Sequence, residues 1–319
     1  MRALTYDGTA VHYKQFHADP RPPAGEALVQ VSLAGICQTD LEIAAGYMNF
    51  RGVLGHEFVG IVKEAPDSRL IGKRVVGDIN CVCGKCPMCQ RGLSSHCPNR
   101  TVLGIEKRAG AFADLLTLPA TNLHVVPDGV SDEQAVFTEP LAAAIQILRQ
   151  VQIDARTKVA VLGDGRLGHL TVQVMATTGC NPMLIGRHPE KLEVAEKAGI
   201  RTALDSAFTA FRDLDVVIDC TGRSAGLQRA IELVRPRGTI VLKTTVADPT
   251  PLHLARLVID EITLLGSRCG PFPMALQMLA KRQVQVDGLI TKRVKIAAAE
   301  TLFAARSLPG LKTLIVFDR

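Results

Sequence analysis

Val159-Ala160-Val161-Leu162-Gly163-Asp164-Gly165-Arg166-Leu167-Gly168 is the stretch whose reading decides the fold. A β-branched apolar run leads into G-x-G-x-x-G, and an amphipathic pattern follows. In that context Gly163 makes a tight turn, Gly165 lets the backbone approach a pyrophosphate, and Gly168 lets helix and strand pack closely. A pyrophosphate would then meet the amides of Arg166 and Leu167 at the start of the helix. Outward from this stretch the alternation continues. Met183 to Gly186, Val216 to Cys220, Gly238 to Leu242 and Glu261 to Gly266 read as buried strands separated by helices. Continuous apolar strands alternating with helices predict an α/β Rossmann unit, a doubly wound parallel sheet covered on both faces.

The strand after the glycine loop bears on the choice of cofactor. An NAD site places Asp or Glu at its end for the ribose hydroxyls. Here the strand ends Ile185-Gly186-Arg187-His188, with no acid. Arg187 offers a fork of donors suited to a 2′-phosphate, and His188 adds a contact, so NADP is expected over NAD. Thr244, after a later strand, and Arg268, after the last one, are further candidates for the cofactor pocket.

Before residue 132 the texture differs. Short β runs broken by Gly and Pro, such as Ala27 to Leu33, Phe58 to Glu64 and Arg74 to Asp78, predict a compact β-rich domain. The tail returns to short strands around one helix and is expected to complete it. The expected division is 1–141 with 272–319 for the β-rich domain and 142–271 for the Rossmann domain.

Two groups of metal-binding residue types lie in the β-rich part. Cys83, Cys86, Cys89 and Cys97 follow one another at intervals of three, three and eight, with Gly84, Pro87 and Gly92 supplying turns. That spacing predicts a closed four-thiolate structural zinc site; Cys81 is a fifth thiol beside it. Cys37, within Gly35-Ile36-Cys37-Gln38-Thr39-Asp40, and His56 with Glu57, within Gly55-His56-Glu57, offer sulfur, nitrogen and oxygen, a set that suits a catalytic zinc with one open position.

The remaining composition narrows the function classes. The chain has 319 residues, a net charge of +6, no Trp and only 4% aromatic residues. Its basic residues are scattered, which argues against a nucleic-acid interface. No apolar run reaches the length of a membrane span, and the first residues lack the apolar core of a signal peptide. Nine cysteines in the cytoplasmic location this suggests point to metal before disulfides.

Together these motifs resemble the zinc-containing medium-chain dehydrogenase/reductase superfamily, the alcohol and polyol dehydrogenases. The matching residues are Gly35 to Asp40, Gly55-His56-Glu57, the four cysteines of 83–97, Glu139-Pro140-Leu141-Ala142 and the three glycines of 163–168. The resemblance implies a GroES-like β-rich catalytic domain plus a Rossmann domain, with the active site in the cleft between them. It implies two zinc ions per chain. Cys37, His56, Glu57 and Glu139 would belong to the catalytic one, and Thr39 would handle the substrate proton. Asp40 would orient His56. Glu42 stands where many members carry the histidine that ends a proton relay. Tyr47 to Phe50 fall on a trimmed rim. The implied activity is reversible oxidation of an alcohol to an aldehyde or ketone with NADP(H) and a small-molecule substrate. The alternatives are an NADP-dependent sugar or polyol dehydrogenase and a non-catalytic zinc- and nucleotide-binding protein. A homodimer or homotetramer is implied, with no nucleic acid or membrane partner.

Overall fold

The computed structural model describes residues 1–209, 212–243, 254–305, 308 and 310–318. The chain divides into two compact units, Met1–Glu139 with Ile290–Arg319, and Pro140–Leu289.

In the first unit the long strand Glu26–Gly35 is the spine. Alternate residues Ala27, Val29 and Val31 turn inward and are buried, the period-2 pattern of a half-buried strand. It pairs antiparallel with Glu57–Glu64, with Leu115–Pro119 and with Lys312–Val316. The sheet continues through Arg74–Gly77 to Leu123–Val125 on one side and to Ile290–Lys295 on the other, seven strands in all. Ile290–Lys295 and Lys312–Val316 run parallel, which requires a crossover; the helix Ile296–Ala304 provides it. A smaller sheet joins Ala3–Tyr6 to Val11–Lys14 and Gly52–Val53.

The second unit is the doubly wound sheet the glycine loop predicts. Its six strands are all parallel, in the spatial order Arg201–Leu204, Met183–Gly186, Val159–Leu162, Leu214–Asp219, Val234–Leu242, Thr263–Gly266. Numbered along the chain this is 3-2-1-4-5-6, and the order reverses between Val159–Leu162 and Leu214–Asp219, the place where such sheets bind ligands. Helices Arg166–Ala176, Pro189–Lys197 and Ser224–Leu233 make the crossovers.

The expected return to the first unit at residue 272 is corrected to Ile290. Two contacts hold 270–289 to the second unit. Gly270 packs so closely on the Ala142 carbonyl that a Cβ would collide with it. Gln173 bonds the backbone of Gln285 in both directions, at 3.0 and 2.7 Å. Phe272–Ala280 buries Phe272, Ala275, Leu276, Met278 and Leu279.

Candidate metal centres and dinucleotide site

Cys37 caps the helix Gln38–Ala44, and the third helical residue, Asp40, accepts the Cys37 amide on Oδ2 at 2.7 Å. That reciprocal cap fixes the thiol at the helix start. The other carboxylate oxygen, Oδ1, lies 3.1 Å from Nδ1 of His56. Asp40 is fully buried, and His56 and Glu57 are 3% and 1% exposed. Burial alone would push the His56 ring down, but the Asp40 carboxylate more than offsets it and holds the ring well above its usual range. A metal would displace the Nε2 proton, and the Nδ1–H donated to Asp40 then leaves Nε2 to face it, the usual way an outer carboxylate sets a ligating histidine. One ligand atom each from Cys37, His56 and Glu57 lies within 4.8 Å of the others.

Sequence reasoning missed the group behind Glu57. Lys312, fully buried, forms an ion pair with Glu57, lies 3.4 Å from the Ile36 carbonyl and 5.7 Å from the centre of the Phe137 ring. Burial lowers its ammonium to about 8, against the pull of Cys37 and Asp40. Gly35 makes room for this pair, since a Cβ there would stand 2.6 Å from Glu57 Oε2. The register explains the meeting. Gly35 lies opposite both Glu57 and Leu314, so strands distant in sequence bring Glu57 and Lys312 together on the spine strand. The ion pair uses Glu57 Oε2, and the other oxygen, Oε1, receives no hydrogen bond among the described residues. A buried, under-bonded carboxylate beside a thiol and an oriented imidazole is a donor set that fits zinc.

The other predicted residues fall as follows. The Cys37 thiol lies 3.7 Å from the half-buried Thr39 hydroxyl. Glu42 accepts from Gln38 at 3.0 Å. Glu139 opens the helix Thr138–Ile145 and stands outside the Cys37–His56–Glu57 cluster. Of the expected rim, Tyr47–Asn49 forms a short 3-10 turn and Phe50 goes into the core.

The Sγ atoms of Cys83, Cys86, Cys89 and Cys97 form a second cluster. Cys86 is 3.5 Å from Cys89 and 3.7 Å from Cys97, which is 3.6 Å from Cys83. The turn residues Gly84 and Gly92 take φ of 71° and 74°, and Pro87 starts the single helical turn Pro87–Gln90. Amides of Lys85 and Cys86 draw the Cys83 thiol down to about 6, while desolvation and the neighbouring thiols push Cys89 up to about 12. Four sulfurs this close need a cation before all can ionise, so the donor set fits a closed zinc site. Cys81 lies outside the cluster, buried beside Asn122, and burial raises it to about 11.

In the second unit Gly165 caps the helix Arg166–Ala176, and Arg166 and Leu167 form its first turn. A Cβ at Gly168 would collide with the Gly163 carbonyl, and Gly163 itself has φ of 106°. The Gly163 amide bonds the Ile185 carbonyl at 2.8 Å, so the loop abuts the end of the neighbouring strand. An acid does stand at that strand end, contrary to the reading of residues 185–188. It is Asp164, from the glycine loop. Its Oδ2 accepts the amides of Arg187 and His188 at 2.6 and 2.8 Å, and His188 Nδ1 lies 3.0 Å from both oxygens. Arg187 is half exposed, with Nε 3.8 Å from Asp205. Arg268 is exposed, and its carbonyl accepts from Lys243 at 3.1 Å. Thr244 lies outside the described residues.

Comparison with known proteins bears on both units. Residues 23–128 match the family model for the alcohol dehydrogenase GroES-like domain, and residues 167–282 the model for zinc-binding dehydrogenase. The chain is 29% identical to 2-dehydro-3-deoxy-L-galactonate 5-dehydrogenase of Pseudoalteromonas atlantica over 92% of each chain. It is 30% identical to the starvation-sensing protein RspB of Escherichia coli over 94% of each. The crystal structure of a putative zinc-binding dehydrogenase from Sinorhizobium meliloti, bound to NADP, superposes with a TM-score of 0.89 at 28% identity, covering 99% of both chains.

Proposed function

Because the chain belongs to the zinc-containing medium-chain dehydrogenase/reductase superfamily, we propose that it interconverts an alcohol and an aldehyde or ketone, with NADP(H) favoured as hydride carrier and two zinc ions per chain. The observation that carries this reading is the convergence of Cys37, His56 and Glu57, with Asp40 bonded to both the Cys37 amide and the His56 ring.

Cys37 and His56, with Glu57 or Glu139, would hold the catalytic zinc, and Cys83, Cys86, Cys89 and Cys97 the structural one. When bound, the catalytic zinc would supply Lewis-acid polarisation of the substrate oxygen and the nicotinamide a hydride acceptor. The chain's residues do the rest. Asp40 holds His56 in one tautomer and orientation. Lys312 sets a positive charge against the buried Glu57 carboxylate. The Thr39 hydroxyl, beside Cys37, holds the substrate oxygen and passes its proton towards Glu42 or solvent. Gly163, Gly165 and Gly168 let the pyrophosphate approach the amides of Arg166 and Leu167. Arg187 and His188 meet the adenosine end, and Arg268 would reach the cofactor or substrate; Thr244, expected to line the nicotinamide pocket, lies outside the described residues.

A second reading, a sugar or polyol dehydrogenase, is favoured by the sugar-acid enzyme among the relatives. A reducing, cytoplasmic setting accords with the nine free cysteines; the homodimer or homotetramer rests on the superfamily resemblance alone. No helix among the described residues is long and apolar enough to cross a membrane.

The test is metal content of the purified protein together with NADPH- and NADH-linked turnover across small alcohols, ketones, polyols and sugar acids. Two zincs and NADPH-linked turnover are expected, and the panel separates the two substrate readings. One zinc with no turnover of either cofactor would leave a zinc- and nucleotide-binding protein and end the enzyme reading. Equal efficiency with NADH would end the NADP preference alone.

A further inference from the structure

We propose that Asp164 and His188 act as a pair in which the carboxylate fixes the tautomer of the imidazole and the imidazole Nε2 accepts a hydrogen bond from a free hydroxyl of the adenosine ribose. The proposal rests on the reading that a dinucleotide lies on the 163–168 loop.

Asp164 is 7% exposed and sits where the Gly163–Gly168 turn meets the end of Met183–Gly186. Gly186 admits it, since a Cβ at that position would stand 2.5 Å from the Asp164 Cβ. Three donors converge on the carboxylate, the amides of Arg187 and His188 and the His188 ring. Burial opposes the charge, but these bonds more than offset it and hold the carboxyl below its usual range. An ionised carboxylate only accepts, so Nδ1 of His188 must carry the hydrogen. The bond made by one ring nitrogen sets the state of the other. In the neutral ring, Nε2 is then a lone-pair acceptor. The His188 side chain is 44% exposed, and no described protein group bonds its Nε2.

The location supplies the ligand chemistry. In a doubly wound sheet the pyrophosphate sits at the start of the first helix, and the adenosine ribose lies over the end of the second strand. An acid on that strand end accepts directly from ribose hydroxyls. Here the acid comes from the glycine loop and its oxygens are taken up by residues 187 and 188. The accepting atom is presented one ring further out, on His188. A free ribose hydroxyl is present in both NAD and NADP, so the contact does not depend on which cofactor is preferred. His188 is the binding residue in this arrangement and Asp164 the positioning residue.

The experiment compares dissociation constants at pH 8 for NADH and its 2′-deoxyadenosine and 3′-deoxyadenosine forms, on the zinc-loaded wild type, His188→Ala and Asp164→Asn. Removing one of the two hydroxyls should weaken wild-type binding about tenfold, the effect of one lost hydrogen bond in a formed site. His188→Ala should weaken NADH by a similar factor and show no further loss with that analogue. Asp164→Asn should shrink the hydroxyl penalty. Nitrogen-15 spectra should also show its His188 proton moving from Nδ1 to Nε2, which loss of packing alone would not cause. Since His188 is partly exposed, its variant reports even if Asp164→Asn fails to fold. A hydroxyl penalty as large in His188→Ala as in the wild type overturns the proposal and leaves the dinucleotide site standing. Failure of the wild type to bind NADH or NADPH overturns the cofactor reading and this inference with it.

Discussion

Asp40 carries two duties with one carboxylate, capping a helix and orienting a ring, and each has a measurable consequence. Asp40→Asn should lower the affinity of the Cys37–His56–Glu57 site for zinc about 10- to 100-fold, as outer partners of a ligating histidine do, while the four-cysteine site keeps its metal; competition with a chromogenic chelator reads both. His169 offers a pH prediction away from either metal. It is 1% exposed with Nε2 unbonded, and burial lowers its ring to about 4. The unfolded chain takes up that proton near pH 6.5, and the folded one refuses it until about 4. The stabilising contribution is therefore present above pH 6.5 and fades as pH falls towards 4, by up to about 3 kcal/mol. Urea unfolding at pH 7 and pH 4.5 should show the loss, and His169→Phe should flatten that part of it. The zinc-ligand motifs were readable in the chain because their spacing encodes turns. Lys312 was not, since nothing near it in sequence predicts a buried lysine; only strand register pairs it with Glu57. Asp164 was overlooked for a related reason. A search for an acid along 185–188 does not see one supplied by the neighbouring loop.

Among the elements, the segment from Cys83 to Cys97 has little besides its sulfurs to hold it. It contains one helical turn and one 3-10 turn, and of the four cysteines only Cys97 is buried. Cys83→Ser should therefore release one zinc and open this segment to proteolysis between 84 and 96 while NADPH binding persists; electrospray mass and limited trypsin digestion check it. The parallel strands were legible wherever the apolar run was continuous, as in Val159–Leu162 and Leu214–Asp219. Arg201–Leu204 was missed, being an edge strand without one buried residue, so burial never shaped its sequence. The late boundary at Ile290 was missed because Phe272–Ala280 is a helix, and helical periodicity does not say which sheet a helix covers.

At the scale of the molecule, the parallel sheet ends on Thr263–Gly266, an edge strand with Leu264 40% exposed, and Val258 and Ile259 nearby are 75% and 74% exposed. An edge with no partner strand among the described residues, beside apolar side chains, is a surface that association would cover, and a second copy of the same edge would extend the sheet. If the proposed homo-oligomer forms through this edge, Val258→Glu with Ile259→Glu should lower the mass seen by analytical ultracentrifugation without unfolding the chain; a monomeric wild type, or an oligomer whose mass the double variant leaves unchanged, would end this reading of the edge. The Lys312 contact has a different kind of consequence. Its ammonium meets the Ile36 carbonyl across 276 residues of sequence. At a synthesis rate of 5–20 residues per second, roughly 14–55 s separate the appearance of Cys37 from that of Lys312, the ion-pair partner of Glu57. The spine strand waits the same time for its neighbour Lys312–Val316. On the ribosome, then, residues 140–289 of the second unit are made before the first unit has its strand Lys312–Val316, and the surroundings of Cys37, His56 and Glu57 are completed only after that strand emerges.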